Sequence, residues 1–177
     1  NIYYSLIKTN VMKSILIFTN GEQIGDGLLK LPLLVELKKR LPDSIIYWMT
    51  DTGTTVYNNR LRNFASQYIE KIFEKAEISP FIWKKISKKY AFESMKFNYI
   101  LDTQKAVFRT IALRRIKSDI FISASAAGLF SSKKIPFQDK KRNYYLDDLM
   151  SLLDLIQPGI YEHDFKFPLP KELLNQL

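Results

Sequence analysis

The sequence predicts an α/β fold of the Rossmann-like kind, with a doubly wound, mainly parallel sheet. Two observations support this prediction. Short apolar runs rich in β-branched residues recur along the chain, and stretches with helical spacing of leucines lie between them. The first strand, helix and second strand together have about the length of a right-handed parallel crossover. At 177 residues, the chain is long enough to bury the core of one such domain.

The first strand–helix–strand unit carries the clearest pattern. Residues 14–18 (SILIF) predict a buried strand, and a glycine-spaced turn then leads into a leucine-rich helix. Pro32 lies inside this helix and is expected to kink it, because proline lacks a backbone donor. Leu-Pro-Asp at 41–43 ends the helix, and IIYWM at 45–49 predicts the second strand.

The alternation continues through the rest of the chain. We expect helices over residues 54–66, 80–95, 104–116 and 143–156, and strands near 68–73, 98–101 and 119–123. The predicted domain spans residues 12–160. Residues 1–11 are expected to be upstream sequence or a disordered leader, and residues 161–177 a linker toward a further domain.

Composition narrows the classes of function. The net charge of +9 favours an anionic partner, either nucleic acid, a phosphorylated substrate or an anionic membrane surface. The chain has no cysteine and one histidine, His163, which argues against thiolate chemistry, metal clusters and Ser–His–Asp triads. We therefore expect no metal site and no cofactor. Nucleic acid is not an expected partner, because the sequence has no signature of an RRM, zinc finger or helix-turn-helix.

The turn from Gly21 to Gly27 contains an acid, Asp26, between two glycines. Its spacing matches neither the dinucleotide fingerprint nor the P-loop. The residues of the turn leave Asp26 as a helix N-cap, a first-turn acid or a catalytic base. Asp51 follows the second strand, where a Rossmann acid would bind a ribose, but without the glycine fingerprint we interpret it as a turn residue.

Further polar residues are expected near Asp26. Asp102 and Gln104 follow the strand at 98–101, and therefore lie at the same sheet edge as Asp26 if the sheet is parallel. Arginine pairs bidentately with phosphates and carboxylates, so an anionic substrate cleft is predicted there. The arginines in question are Arg60, Arg62, Arg109 and Arg114. Trp83 beside paired lysines fits either contact with a membrane surface or a place in the core.

Three stretches resemble a known family. Gly25-Asp26, Pro32-Leu33-Leu34 and Leu41-Pro42-Asp43, in that order, resemble the opening of the ADP-heptose:lipopolysaccharide heptosyltransferases of glycosyltransferase family 9. The segment YILDTQKAVFRTIALRR is similar to that family's strand–Asp-x-Gln–helix segment, and NYYLDDLMSLLDLI to the helix that closes its N-terminal domain. Gly27, Lys30 and the longer, polar turn depart from the family pattern.

The resemblance implies the N-terminal, acceptor-side half of a GT-B fold. It implies inverting, metal-independent transfer from a nucleotide-sugar, ADP-heptose, to an anionic glycolipid acceptor, with the donor bound by a C-terminal domain outside these residues. Asp26 would be the general base, and Gly25 and Gly27 would leave room for the acceptor sugar. Acceptor binding would involve Arg60, Arg62, Asp102, Gln104, Arg109 and Arg114. A cytoplasmic enzyme with peripheral contact to the inner face of the inner membrane is expected.

Two other classes of function stay open from the sequence. One is a non-catalytic Rossmann-like module that binds a nucleotide or another anion. The other is a basic module that associates with membranes or nucleic acids, whose binding would weaken steeply with salt.

Overall fold

A computed structural model describes residues 12–135 and 145–161. The predicted leader at 1–11, His163 and nearly all of the predicted linker at 161–177 lie outside these residues. The strands are β1 (Ser14–Thr19), β2 (Ile45–Thr50), β3 (Ile69–Phe73), β4 (Lys96–Asp102) and β5 (Lys117–Ser123). The α-helices are α1 (Ile24–Arg40), α2 (Arg62–Ala65), α3 (Val107–Leu113) and α4 (Tyr145–Ile156).

The five strands form one sheet in the order β3-β2-β1-β4-β5, and every neighbouring pair is parallel. The order reverses direction at β1, whose neighbours are β2 on one side and β4 on the other. This arrangement confirms the predicted Rossmann-like α/β class. It also creates a switch point between β1 and β4, where open α/β sheets bind ligands beyond the carboxyl ends of the strands.

Both faces of the sheet are covered, as the continuously apolar strands predict. Ile15 and Ile17 of β1 pack in the cluster that includes α1 and α4, while Leu16 and Phe18 pack in the cluster that includes α3. These four side chains have no solvent exposure. The period-two alternation along β1 therefore divides one strand between two cores.

The first helix follows the prediction closely. α1 begins at Ile24, continues past Pro32 and ends at Arg40, just before Leu-Pro-Asp. Its last residue connects it to α4, since the Arg40 guanidinium bonds Glu36 on its own helix and the carboxylate of Asp154 at 2.5 Å. The helix is thus fixed at its far end, away from the turn that carries Asp26.

Two predicted helices are wrong or much reduced. Residues 54–66 contain a 3₁₀ turn, Val56–Asn58, and the single-turn α2. Residues 80–95 are irregular up to a 3₁₀ turn at Phe92–Ser94. The physical reason lies in the backbone carbonyls of residues 79–84, three of which accept hydrogen bonds from Arg115 and are therefore not used within a helix.

The segment between β3 and β4 covers the second face of the sheet without a helix. It buries Ala76, Ile78, Ile86 and Phe92 in the cluster with Leu16 and Phe18. Apolar residues at irregular spacing can cover a sheet in this way when side chains satisfy the backbone polar groups. The predicted helix over residues 80–95 is therefore wrong, and Trp83, at 76% exposure, does not lie in the core.

Candidate functional site

The candidate site lies at the carboxyl ends of β1 and β4. Phe18 of β1 pairs with Asp102 of β4. The Thr103 backbone N–H and the Thr103 hydroxyl both donate to the Phe18 carbonyl, at 3.2 and 2.8 Å. The turn after β4 is therefore held against the end of β1, and Asp102, the last residue of β4, lies at the sheet edge from which the chain continues to Asp26.

The turn after β1 is packed backbone to backbone against the turn after β2. Gly21 has a φ of +121°, and a Cβ on it would lie 2.8 Å from the Gly53 Cα. The Glu22 N–H donates to the Thr54 carbonyl at 3.0 Å. Gly21 and Gly53 are thus required by close approach, because any side chain would force the two turns apart.

A buried charged group supports the beginning of α1. The Glu22 carboxylate has no exposed side-chain surface and pairs with Lys30 Nζ at 3.3 Å, while the Lys30 side chain is 5% exposed. Trp48 Nε1 of β2 donates to the same Glu22 oxygen at 3.1 Å. In the sequence, Lys30 and the polar turn that contains Glu22 are notable only because they depart from the family pattern. The sequence signal that could have indicated this ion pair is the spacing of a Glu just before the helix and a Lys eight residues later.

Asp26 is exposed in the first turn of α1. The N-cap of the helix is Gln23, so the N-cap alternative for Asp26 is wrong and the first-turn position is confirmed. A carboxylate there interacts favourably with the helix dipole. Its exposure leaves it accessible to a ligand at the switch point.

Tyr145, the first residue of α4, lies within electrostatic range of Asp26. Burial is the main cause that raises the pKa of Tyr145 to about 12. A hydrogen bond with Thr103 opposes the rise, while the carboxylates of Glu22, Asp26 and Asp148 add to it. The site is therefore bordered by α1, by the turn after β4 and by α4. From the sequence, Tyr145 belongs only to the predicted helix over residues 143–156.

The two glycines beside Asp26 differ. A Cβ on Gly25 would have no atom within 4 Å, so this position is open. A Cβ on Gly27 would lie 2.3 Å from Val56 Cγ2, and the Gly27 carbonyl accepts a hydrogen bond from the Tyr57 hydroxyl at 2.6 Å. The missing side chain of Gly27 therefore makes room for Val56 rather than for a ligand, which corrects the sequence-based expectation.

Asp102 has a structural environment. It is fully buried, and one of its oxygens accepts hydrogen bonds from the hydroxyls of Thr110 and Ser123, each at 2.7 Å. The other oxygen accepts from the Gln104 N–H at 2.9 Å. Burial raises the pKa of Asp102, and the three hydrogen bonds lower it in part. Since no surface of Asp102 is accessible, direct acceptor binding by this carboxylate is not supported, while the half-buried Gln104 stays a candidate.

The four predicted arginines do not form one cluster with common contacts. Arg60 is exposed and borders a cavity of about 270 Å³ beside the N-terminus of α1, together with Glu22 and Gln23. Arg62 is exposed at the start of α2. Of these two arginines, Arg60 therefore fits better the predicted cleft for an anionic substrate.

Arg109 and Arg114 have intramolecular partners. Arg109 forms an ion pair with Asp51, whose side chain is fully buried at the end of β2. Burial raises the pKa of Asp51, and Arg109 opposes that rise. Arg114 follows α3 and lies over the Phe121 ring, 5.1 Å from its centroid. Asp51 thus joins β2 to α3, consistent with a turn residue rather than a ribose ligand.

In residues 12–135 and 145–161, no three acidic or histidine side chains gather as a metal-binding group. Over the same ranges, no helix combines the length and the apolar character needed to cross a membrane.

Comparison with known proteins supports the fold. No family profile and no curated protein sequence matches the chain. Among solved structures, it is similar to a glycosyl transferase family 9 protein from Veillonella parvula, with 18% identity and a TM-score of 0.54 over 85% of this chain and 42% of that one. It is also similar to the E. coli heptosyltransferase WaaC, solved with ADP-2-deoxy-2-fluoro heptose, with 15% identity and a TM-score of 0.55 over 85% of this chain and 50% of that one.

These similarities confirm the structural resemblance that the sequence motifs implied. At such low identity they establish a shared fold. The chain spans about half the length of either structure or less, so it corresponds to one part of those glycosyltransferases.

Proposed function

We propose that this chain is the acceptor-side domain of a glycosyltransferase in which Asp26 is the general base. The observation that carries the proposal is the exposed carboxylate of Asp26 in the first turn of the helix after β1, at the switch point of the sheet. The structural similarity to two glycosyltransferases supports the same reaction class.

The proposed reaction is a single displacement at the anomeric carbon of a nucleotide-sugar. Asp26 accepts the proton of an acceptor hydroxyl while that oxygen forms the new glycosidic bond. The bond from the anomeric carbon to the nucleoside diphosphate breaks, and the leaving group takes the electron pair. Attack from the opposite side inverts the configuration, and this chemistry requires no metal-bound intermediate.

The buried contacts of Glu22 support this role by fixing the turn that precedes Asp26. Lys30 is on the same helix as Asp26, and Trp48 is on the neighbouring strand, so Glu22 connects α1 to the sheet. A base must be held near the proton that it removes, and supporting contacts of this kind limit its movement. Glu22 and Lys30 are therefore proposed as positioning residues.

The acceptor is proposed to be an anionic glycolipid, such as a lipopolysaccharide core, and the donor ADP-heptose. Arg60 lies beside the N-terminus of α1, so its charge and the positive end of the helix dipole meet in one region, which favours a phosphate or carboxylate. Gly25 leaves open space one residue before Asp26. Donor binding would come from residues outside this chain, and the enzyme would work at the cytoplasmic face of the membrane.

The test is a transfer assay with the full-length protein, a panel of radiolabelled nucleotide-sugars and acceptors with and without phosphate groups. We expect transfer of one sugar to an anionic acceptor, with inverted configuration by NMR. Nucleotide binding with no transfer to any acceptor in the panel would instead support the non-catalytic binding module.

A further inference from the structure

A second surface, distant in sequence from Asp26, has properties that the proposed chemistry at Asp26 does not explain. Residues 79–89 (SPFIWKKISKK) form the docking loop, a name used below for this segment. Three consecutive large apolar residues are exposed in it: Phe81 at 47%, Ile82 at 83% and Trp83 at 76%. Single exposed apolar residues are common on proteins, but a contiguous group of this size indicates an interaction surface.

The exposed residues lie at the tip of a turn. The Lys84 N–H donates to the Phe81 carbonyl at 3.1 Å, so Ile82 and Trp83 are the two central residues of the turn. The rings of Phe81 and Trp83 stack with centroids 5.0 Å apart. The tip is therefore one apolar projection.

The docking loop is also strongly basic. It contains four lysines, Lys84, Lys85, Lys88 and Lys89, and no acidic residue. All four are exposed, and Lys84 Nζ lies 5.5 Å from the centroid of the Phe81 ring. The nearest acids in sequence, Glu77 and Glu93, flank the loop. Positive charge thus lies beside the apolar tip.

The loop is held in shape by groups beneath it. The Arg115 guanidinium donates to the carbonyls of Ser79, Phe81 and Lys84 at 2.5, 2.7 and 2.5 Å. Buried Ile78 and Ile86 anchor its two ends to the core. Because these contacts fix the backbone, docking would require little further ordering, which favours binding.

We propose that the docking loop attaches the protein to an anionic phospholipid bilayer. The tip residues would enter the boundary between headgroups and acyl chains, where aromatic side chains are favoured, and the lysines would contact lipid phosphates. A cavity of about 510 Å³ beside Phe81, bordered by Lys84, Lys85 and Lys88 and by one acid, Glu77, has room for a phosphate headgroup. Nucleic acid would use the lysines but would leave Ile82 unexplained. The proposal stands on this loop and does not require the transferase assignment.

Vesicle binding by the full-length protein tests the proposal. We expect co-sedimentation with vesicles containing phosphatidylglycerol, weakened by salt, and much weaker binding to pure phosphatidylcholine. Of the two tryptophans in these 177 residues, Trp48 is fully buried, so a blue shift in emission on binding that Trp83→Phe abolishes would report Trp83. Brominated lipids should quench that emission.

Matched variants locate the contact. Ile82→Asp should lower vesicle affinity by at least about tenfold, because it puts a charge at the apolar tip. Leu129→Asp makes the same kind of change at a residue that is 78% exposed outside the loop, and should leave affinity unchanged. Replacing Lys84, Lys85 and Lys88 with Gln should lower vesicle affinity by roughly a hundredfold, at about 1 kcal/mol per lysine.

Circular dichroism and thermal melts should be unchanged in these variants, since the substituted side chains are exposed. Absence of vesicle binding, or equal binding by Ile82→Asp and the unmodified protein, would overturn the proposal. So would concentration-dependent self-association that Ile82→Asp abolishes, in the absence of vesicle binding.

Discussion

β4 and the helix that follows β1 each bring an acid to the carboxyl edge of the sheet, yet the two acids differ in their surroundings. Asp26 is exposed on α1, whereas Asp102 is fully buried and accepts three hydrogen bonds. Both positions satisfy the topological rule for ligand binding in open α/β sheets. The difference teaches that position at a sheet edge identifies candidates, while accessibility and existing partners separate a chemical role from a structural one.

The largest expected effect concerns Asp26. Asp26→Asn in the full-length protein should lower kcat for sugar transfer by about 10²- to 10⁴-fold, because the amide cannot accept the proton. Thermal stability should change little, since the side chain is exposed. Asp43→Asn is the matched control and should keep full activity. Asp43 is also an exposed acid, but it lies just before β2, toward the opposite edge of the sheet. Transfer by Asp26→Asn at the unmodified rate would refute the base assignment.

Asp102 should show the opposite behaviour, with its main effect on stability. Asp102→Ala leaves three donors without their acceptor and should lower the free energy of unfolding by about 2–4 kcal/mol. Asp102→Asn should cost less, because the hydroxyls of Thr110 and Ser123 can rotate to accept from the amide. Chemical denaturation measures both values. Equal losses for Ala and Asn would contradict this account of the hydrogen bonds.

The pH dependence of stability gives a second measurement on Asp102. Burial raises its folded-state pKa above the ordinary value of 3.8, so the folded protein retains this proton at pH values where the unfolded chain has released it. Its contribution to stability is therefore greatest at acid pH and is lost as pH rises from about 4 through the raised pKa. In Asp102→Asn, the free energy of unfolding should fall less steeply as pH rises. Part of the fall should remain, because the pKa of Asp51 is also raised.

The two glycines beside Asp26 differ in packing, as Asp26 and Asp102 differ in exposure. Gly27→Ala should destabilise the fold by about 1–3 kcal/mol, because the new methyl group would overlap Val56. Gly25→Ala should be neutral or stabilising by up to about 1 kcal/mol, since its position in the first turn of α1 is open. If Gly25 leaves room for the acceptor, Gly25→Ala should still raise the KM for the acceptor. Similar thermal shifts in the two variants would contradict the packing difference.

The smallest expected effects on stability and binding concern Arg109 and Arg60. Arg109→Gln should cost about 1–2 kcal/mol of stability, because it leaves the buried Asp51 carboxylate without its cation; solvent screening of the partly exposed guanidinium reduces this loss. A double-mutant cycle with Asp51→Asn measures the coupling. Arg60→Gln should leave stability unchanged and raise the KM for an anionic acceptor roughly tenfold. A larger stability loss in Arg60→Gln than in Arg109→Gln would reverse the assignment.

The sequence by itself determined the fold class and the order of the strands along the chain. The five strand segments, the long helix after β1 and its end at Leu-Pro-Asp all follow from local periodicity and from the punctuation of short motifs. The position of Asp26 beyond the carboxyl end of a central strand follows from the same local patterns. Local patterns suffice for these features because hydrophobic period and turn residues are properties of contiguous sequence.

Only the tertiary structure decided which polar residues are available to a ligand. The burial of Asp102, the hydrogen bond from Trp48 to Glu22, the pairing of Asp51 with Arg109 and the packing of Gly27 on Val56 all join segments that are separate in sequence. The irregular backbone of residues 79–86 likewise depends on Arg115, about 30 residues further along the chain. A side chain's exposure and partners are set by what folds against it, and no local period encodes that information.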